Sequence, residues 1–137
     1  TSGCNIGLPF VISSDSAQVI TITDNCRLGI FDAATWELKK EFHDPLKHAN
    51  IDLAFSPDSR LLAVAYQNKL ELWDWSAGEL VKSYSNPALR IYPPHRDAEL
   101  GYMYQAAFSP DGRLIGTRFS GEAGMGYNSI VTLWGVP

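Results

Sequence analysis

Cysteine and methionine are close to missing from this chain, with two of each in 137 residues. Cys4 and Cys26 do not make the disulfide framework of a small secreted scaffold. Long apolar runs are also lacking. None approaches the roughly 20 residues that a helix needs to cross a bilayer. There is no basic excess either: the net charge is −4, which argues against a general binder of nucleic acid or of anionic membrane. Signatures of chemistry are equally scarce. No Gly-Lys-Ser/Thr phosphate loop occurs, and the glycine-rich stretch Gly121–Gly126 contains no lysine. His43, His48 and His95 lack the Cys/His/Asp spacing of a metal site. No serine stands beside a base that would activate it. The expectation is a protein that is not an enzyme, holds no cofactor or metal, and has neither nucleic acid nor membrane as partner.

The remaining composition is that of an ordinary globular chain. It is 45% hydrophobic and 19% charged, and long enough for one domain with a core. The stretch from Ile51 to Tyr84 organises the rest. Ile51, Leu53 and Phe55 alternate with Asp52 and Ala54, which is strand periodicity. Ser56-Pro57-Asp58-Ser59 follows as a tight turn, because proline presets φ and Asp and Ser bond their own backbone. Leu61–Tyr66 is an unbroken apolar run, as expected of a strand covered on both faces. Past a turn at Gln67-Asn68, Leu70 and Leu72 alternate against Glu71 and Trp73. Ser76-Ala77-Gly78 turns again, and Glu79–Tyr84 makes a fourth strand. The unit reads as a four-stranded antiparallel meander.

The same pattern occurs three times. The turn serines are Ser13, Ser56 and Ser109, separated by 43 and 53 residues, and the third-strand aromatics are Phe31, Trp73 and Trp134, separated by 42 and 61. The copies run from about 8 to 42, 51 to 84 and 102 to 137. Pro9 lies in the first strand of the first copy, where it cannot donate to a ladder, so that strand should be an edge. The third copy stops after its third strand. Repeat equivalence makes Asp15, Asp58 and Asp111 turn residues rather than a set of catalytic carboxylates. Asp32 and Asp74 read as turn residues in the same way.

Ala54-Phe55-Ser56-Pro57-Asp58 with Trp73-Asp74, and Ala107-Phe108-Ser109-Pro110-Asp111-Gly112 with Leu133-Trp134, resemble the WD40 (WD-repeat) family. The likeness covers nearly the whole chain and is weakest in the first copy, where Phe31-Asp32 stands for Trp-Asp. It implies an all-β fold, a partial β-propeller of three four-stranded antiparallel blades, the last lacking its outer strand. The first strand of each blade would line a central channel. It also implies a polar network with a histidine before the first strand, for which His43 or His48 is available, and an aspartate in the second turn. Asp24 fits that place, while Gln67-Asn68 and Asn128 replace it elsewhere.

Two insertions point to a binding surface. From third-strand aromatic to next turn serine takes 25 residues the first time and 36 the second. From turn serine to aromatic takes 17 residues in the second copy and 25 in the third. Two long loops are therefore expected on one rim of the third blade, the second around Gly121–Asn128. They carry Tyr92, His95, Arg96, Asp97, Tyr102, Glu122, Met125 and Tyr127, and aromatics, Met and Arg are enriched at interfaces. Arg118 aligns with Ala65 and Ile22, on a strand expected to be covered on both faces. A buried guanidinium needs a partner. Either it pairs with Glu122 or an acidic residue of the 97–99 stretch, which the reading favours, or it meets an anionic group of a binding partner.

Propellers generally have four to eight blades, so three leave two outer faces bare. Thr1–Gly7 is too short to add a strand and lead into Leu8. The expected partners are a protein or peptide at the rim, and further propeller blades from the same parent chain or another copy. Ser2-Gly3-Cys4 is faintly like the end of a lipoprotein signal, but a piece of a longer protein is the preferred reading; the compartment is left open, with a soluble, cytoplasmic protein slightly favoured. The expected function is a protein-interaction or scaffold module. One alternative is a C-terminal structural part of a larger sensor or signalling protein. Another is a ligand-binding or enzymatic propeller with a site in the channel, for which Asp52 and Gln105 are the polar candidates.

Overall fold

The computed structural model describes residues 9–43, 46, 51–66, 69–85, 101–123 and 126–137, with backbone alone at 101–104, 119–123 and 126–130. These residues form eleven strands in three antiparallel sheets and no helix. The first sheet holds β1 (Phe10–Ile12), β2 (Gln18–Ile22), β3 (Leu28–Asp32) and β4 (Leu38–Phe42) in sequential order. The second holds β5 (Ile51–Phe55), β6 (Leu62–Tyr66), β7 (Lys69–Asp74) and β8 (Glu79–Ser85) in the same order. The third holds β9 (Gly101–Phe108), β10 (Leu114–Ala123) and β11 (Gly126–Gly135), with β10 in the middle. This is a partial β-propeller of three blades. β1 is an edge strand, as are β5 and β9 in their sheets, and Pro9 lies just before it rather than within it as expected; the Pro9 carbonyl accepts the Thr21 hydroxyl (2.8 Å).

The same turn joins the first strand to the second in each blade. The Ser hydroxyl donates to the Asp carboxylate two residues on: Ser13 to Asp15 (2.6 Å), Ser56 to Asp58 (2.7 Å), Ser109 to Asp111 (2.7 Å). That carboxylate accepts the N–H of Ala17, Arg60 or Arg113 (each 3.0 Å), and the Ser oxygen accepts an N–H from the start of the next strand. The hydroxyl and then the N–H hold all three carboxyls below their ordinary pKa. The fourth turn residue is left-handed in each case: Ser16 (φ 61°), Ser59 (φ 57°) and Gly112 (φ 74°). Asp32 and Asp74 cap the third-strand turns, their Oδ1 atoms accepting N–H groups of Ala34, Thr35 and Ala77.

The core lies between sheets, as a blade with two apolar faces demands. One seam joins the first and second blades through Ile20, Leu28, Ile30, Leu53, Leu62 and Val64. The other joins the second and third through Ala63, Ala65, Leu70, Leu72 and Ile115, with Ala106, Phe108 and Trp134 packed against them. The unbroken run Leu62–Ala65 is thus fully buried because it has a neighbour on each side.

Two expectations are corrected. The extra residues around Gly121–Asn128 do not form a loop. They lengthen the hairpin: β10 and β11 stay paired from Leu114↔Gly135 to Ala123↔Gly126, ten residues each against five and six for β6 and β7. Arg118 is not covered on both faces. It is exposed, opposite Gln105 and Val131, on the face of the third blade that no described sheet covers. Cys26, at φ 62° in the β2–β3 turn, is disulfide-bonded; the chain's other cysteine, Cys4, lies outside the described residues.

Candidate functional site

The most concentrated polar cluster sits in the seam between the first two blades. Glu71 points from β7 toward the first sheet, on the same side as Trp73, and is only 8% exposed. Three side chains converge on its carboxylate. His43 Nε2 lies 2.6 Å from Oε1, Trp73 Nε1 donates to Oε1 (3.0 Å) and the Tyr66 hydroxyl donates to Oε2 (3.0 Å). A carboxylate only accepts, so His43 carries its proton on Nε2. Burial pushes the Glu71 carboxyl up, but the hydrogen bonds from His43, Trp73 and Tyr66 outweigh it and leave the group below its ordinary pKa. His43 follows β4 at φ 77°, with Arg27 Nε bonding its carbonyl (2.7 Å). Its ring packs against those of Tyr66 and Trp73. Of the two histidines considered for a polar network, His43 meets a strand glutamate rather than a turn aspartate, and His48 lies outside the described residues. Beside the cluster opens a groove of about 530 Å³, flanked by Arg27, Lys40 and Lys69.

The second seam carries simpler bonds. Asp52 Oδ2 accepts the Ala106 N–H (2.7 Å), tying the first strand of one blade to the first strand of the next. Burial pushes the Asp52 carboxyl up, against the pull of N–H groups at Ala106 and Leu53. Trp134 Nε1 donates to Thr117 Oγ1 (2.8 Å), and Tyr84 donates to the Gly135 carbonyl (2.6 Å). Asp52, a polar candidate for the channel, therefore serves the seam; Gln105, the other, is exposed.

Two sheet faces carry large apolar side chains in solvent. On the first blade these are Phe10, Ile12 and Leu38, with Trp36 (φ 59°) stacked on Phe31 at 4.8 Å between ring centroids. On the third they are Val131, Leu133 and Leu114.

Of the expected rim residues, Tyr92, His95, Arg96, Asp97 and Met125 lie outside the described residues. The other four fall on one sheet: Tyr102 on β9, Arg118 and Glu122 on β10, Tyr127 on β11. The backbone register sets Glu122 opposite Tyr127 and Tyr102 opposite Ser120. Among the described residues no group of three or more His, Cys, Asp or Glu is placed to hold a metal ion, and no helix is long and apolar enough to cross a membrane. No family model matches the chain, and no curated protein is significantly similar to it.

No sequence motif marks Glu71. The available signal was an acid on the apolar side of a strand, in register with Trp73, where a charge requires a partner.

Proposed function

We propose that this chain is part of a WD-repeat propeller that works as a protein-interaction module, binding a protein or peptide at the rim of its third blade. The observation that carries the reading is the length of the third blade. Where β6 ends at Tyr66, its counterpart continues from Phe119 to Ala123, four more residues or about 13 Å of strand. Through Gly121 that extension is tied on both sides, to β9 and to β11, and Glu122 and Ala123 remain paired with β11, so it is a platform of strand rather than a loop. It bears Tyr102, Glu122 and Tyr127, and binding residues are commonly presented on such scaffolds. The repeated Ser–Asp turns and the Trp134–Thr117 bond support the family likeness. The Asp52 carboxylate already engages a backbone N–H, which favours the rim over chemistry in the channel.

The test replaces Tyr92, Arg96 and Tyr127 together with Ala and compares affinity capture and thermal melts with the wild type. Truncating a central contact costs about 2 kcal/mol, roughly 30-fold in affinity. The expected outcome is loss of the captured partner with an unchanged melt. The same partners retained at the same affinity would place the binding surface elsewhere.

A further inference from the structure

The groove between the first two blades follows β7. At one end stand Arg27, just before β3, and Lys69, the first residue of β7; at the other stand Lys40 of β4 and Gly78 of the β7–β8 turn. Trp73 lies between the ends, with the Phe42 ring against it at 5.4 Å and Leu80, itself exposed, paired beside it. Two of the three cations are aimed by backbone carbonyls. Arg27 donates from Nε to the His43 carbonyl (2.7 Å), and Lys40 donates from Nζ to the Ala77 carbonyl (2.9 Å). A carbonyl fixes a cation without neutralising it. Gly78 admits the second of these contacts: at its φ of 70° a Cβ would lie 2.8 Å from Lys40 Nζ. Lys69 is exposed, and among the described residues neither it, Lys40 nor Arg27 forms an ion pair. The acids of the groove are engaged elsewhere. Glu71 accepts from His43, Trp73 and Tyr66, and both oxygens of Glu41 accept from Asn25 Nδ2 at 3.2 Å.

We propose that this groove holds an extended acidic peptide, with a carboxylate side chain toward each end and an apolar side chain between them. One carboxylate meets Arg27 and Lys69, the other meets Lys40, and the apolar side chain lies on Trp73 and Leu80. Charge complementarity carries the choice. The chain as a whole is acidic, at −4, yet three cations stand at this groove with no acid paired to them. Arg27 has its terminal nitrogens left for a carboxylate, a geometry the guanidinium fork suits. Lys40 spends one of its three donors on Ala77 and keeps two. Length argues for a peptide over a small anion. β7 spans about 17 Å from Lys69 to Asp74, so one small carboxylate or phosphate meets one end only. In an extended peptide, alternate side chains share a face, and acids four residues apart are separated by about 13 Å. The lysine stems take up the difference. The volume of about 530 Å³ lies in the range of ligand sites. No residue of this groove belongs to the rim of the third blade, so either can bind without the other.

The probe is the peptide acetyl-Glu-Thr-Leu-Thr-Glu-amide, titrated into the 137-residue chain and followed by calorimetry and by the fluorescence of the half-buried Trp73. The wild type should bind it saturably, and more weakly as salt screens the charges. Lys69→Glu should weaken binding by about tenfold or more, and Leu80→Asp should weaken it as well. A charge exchange guards against a variant that merely fails to fold. Of the two peptides with lysine in place of the first or the last glutamate, one should bind Lys69→Glu more tightly than it binds the wild type. Absence of saturable binding by the wild type overturns the proposal. So does equal binding of the peptide with glutamine in place of both glutamates, full-strength binding by Lys69→Glu, or failure of both exchanged peptides. Glutarate that binds as tightly as the peptide would assign the groove to a small dicarboxylate and overturn the peptide.

Discussion

Glu71→Leu should destabilise the chain more than Glu71→Gln, although leucine is the better match to the apolar seam around it. The carboxylate is the acceptor for His43 Nε2 (2.6 Å), Trp73 Nε1 (3.0 Å) and the Tyr66 hydroxyl (3.0 Å). Leucine leaves the two ring N–H groups facing hydrocarbon, at about 1–3 kcal/mol each. Burying its methyls offsets part of this, about 1.5–3 kcal/mol at most. Central values of about 4 and about 2 kcal/mol leave a net loss of about 2 kcal/mol. Glutamine keeps the geometry. Its oxygen in the place of Oε1 still accepts from both rings, and its NH2 donates to the Tyr66 hydroxyl, which accepts as well as donates. Only the charge assistance goes, about 1 kcal/mol. Urea melts at fixed protein concentration, followed by tryptophan fluorescence, separate the two. The pH dependence supplies a second readout. Burial raises the Glu71 carboxyl and its hydrogen-bond partners lower it further than that, so the folded pKa lies below the unfolded one. The unfolded state then binds more protons, and this group's contribution is complete above the unfolded pKa of about 4.3. It is lost as pH falls through the folded value. The wild type should therefore lose its advantage over Glu71→Gln in acid. Equal losses for Leu and Gln, or a wild-type–Gln gap that is the same at pH 7 and pH 3, would refute a stabilising network at Glu71.

Asp52 should behave in the opposite sense. Its folded pKa is raised by burial, so its contribution is complete below the unfolded value and is lost as pH rises through the folded one. Asp52→Asn keeps an acceptor for the Ala106 N–H and should raise the melting temperature at pH 7, with the gain vanishing near pH 3; a lower melting temperature at pH 7 would show that the carboxylate is required. Thr117→Val removes the acceptor of the Trp134 indole at nearly constant shape and should cost about 1 kcal/mol, mostly regained in Thr117→Ser. Thr117→Val as stable as wild type would mean that water satisfies the indole.

What the sequence displayed depended on the range over which each feature is determined. The Ser–Asp turns were readable because every bond in them spans two to five residues, and the chemistry of Ser13, Asp15 and their equivalents is local. The alternation of Leu70 and Leu72 against Glu71 and Trp73 was readable for the same reason, since period two alone assigns them to opposite seams. Glu71 and His43 are 28 residues apart, in different blades, and no spacing rule predicts that a histidine after β4 will reach back over a sheet to an acid on β7. The long hairpin shows a subtler limit. Gly121, Gly124 and Gly126 argue for a loop on propensity, yet β10 and β11 pair almost to the tip, because β9 and β11 flank β10 and satisfy its backbone on both sides. Arg118 follows from the same geometry. Its alignment with Ala65 predicts a covered strand, but covering is a property of the neighbouring blade, not of the strand, and the third blade has a described neighbour on one side only. An arginine where the second blade has a buried alanine marks the place where the internal repeat stops being uniform, and so the face on which this chain differs from a propeller made of identical blades.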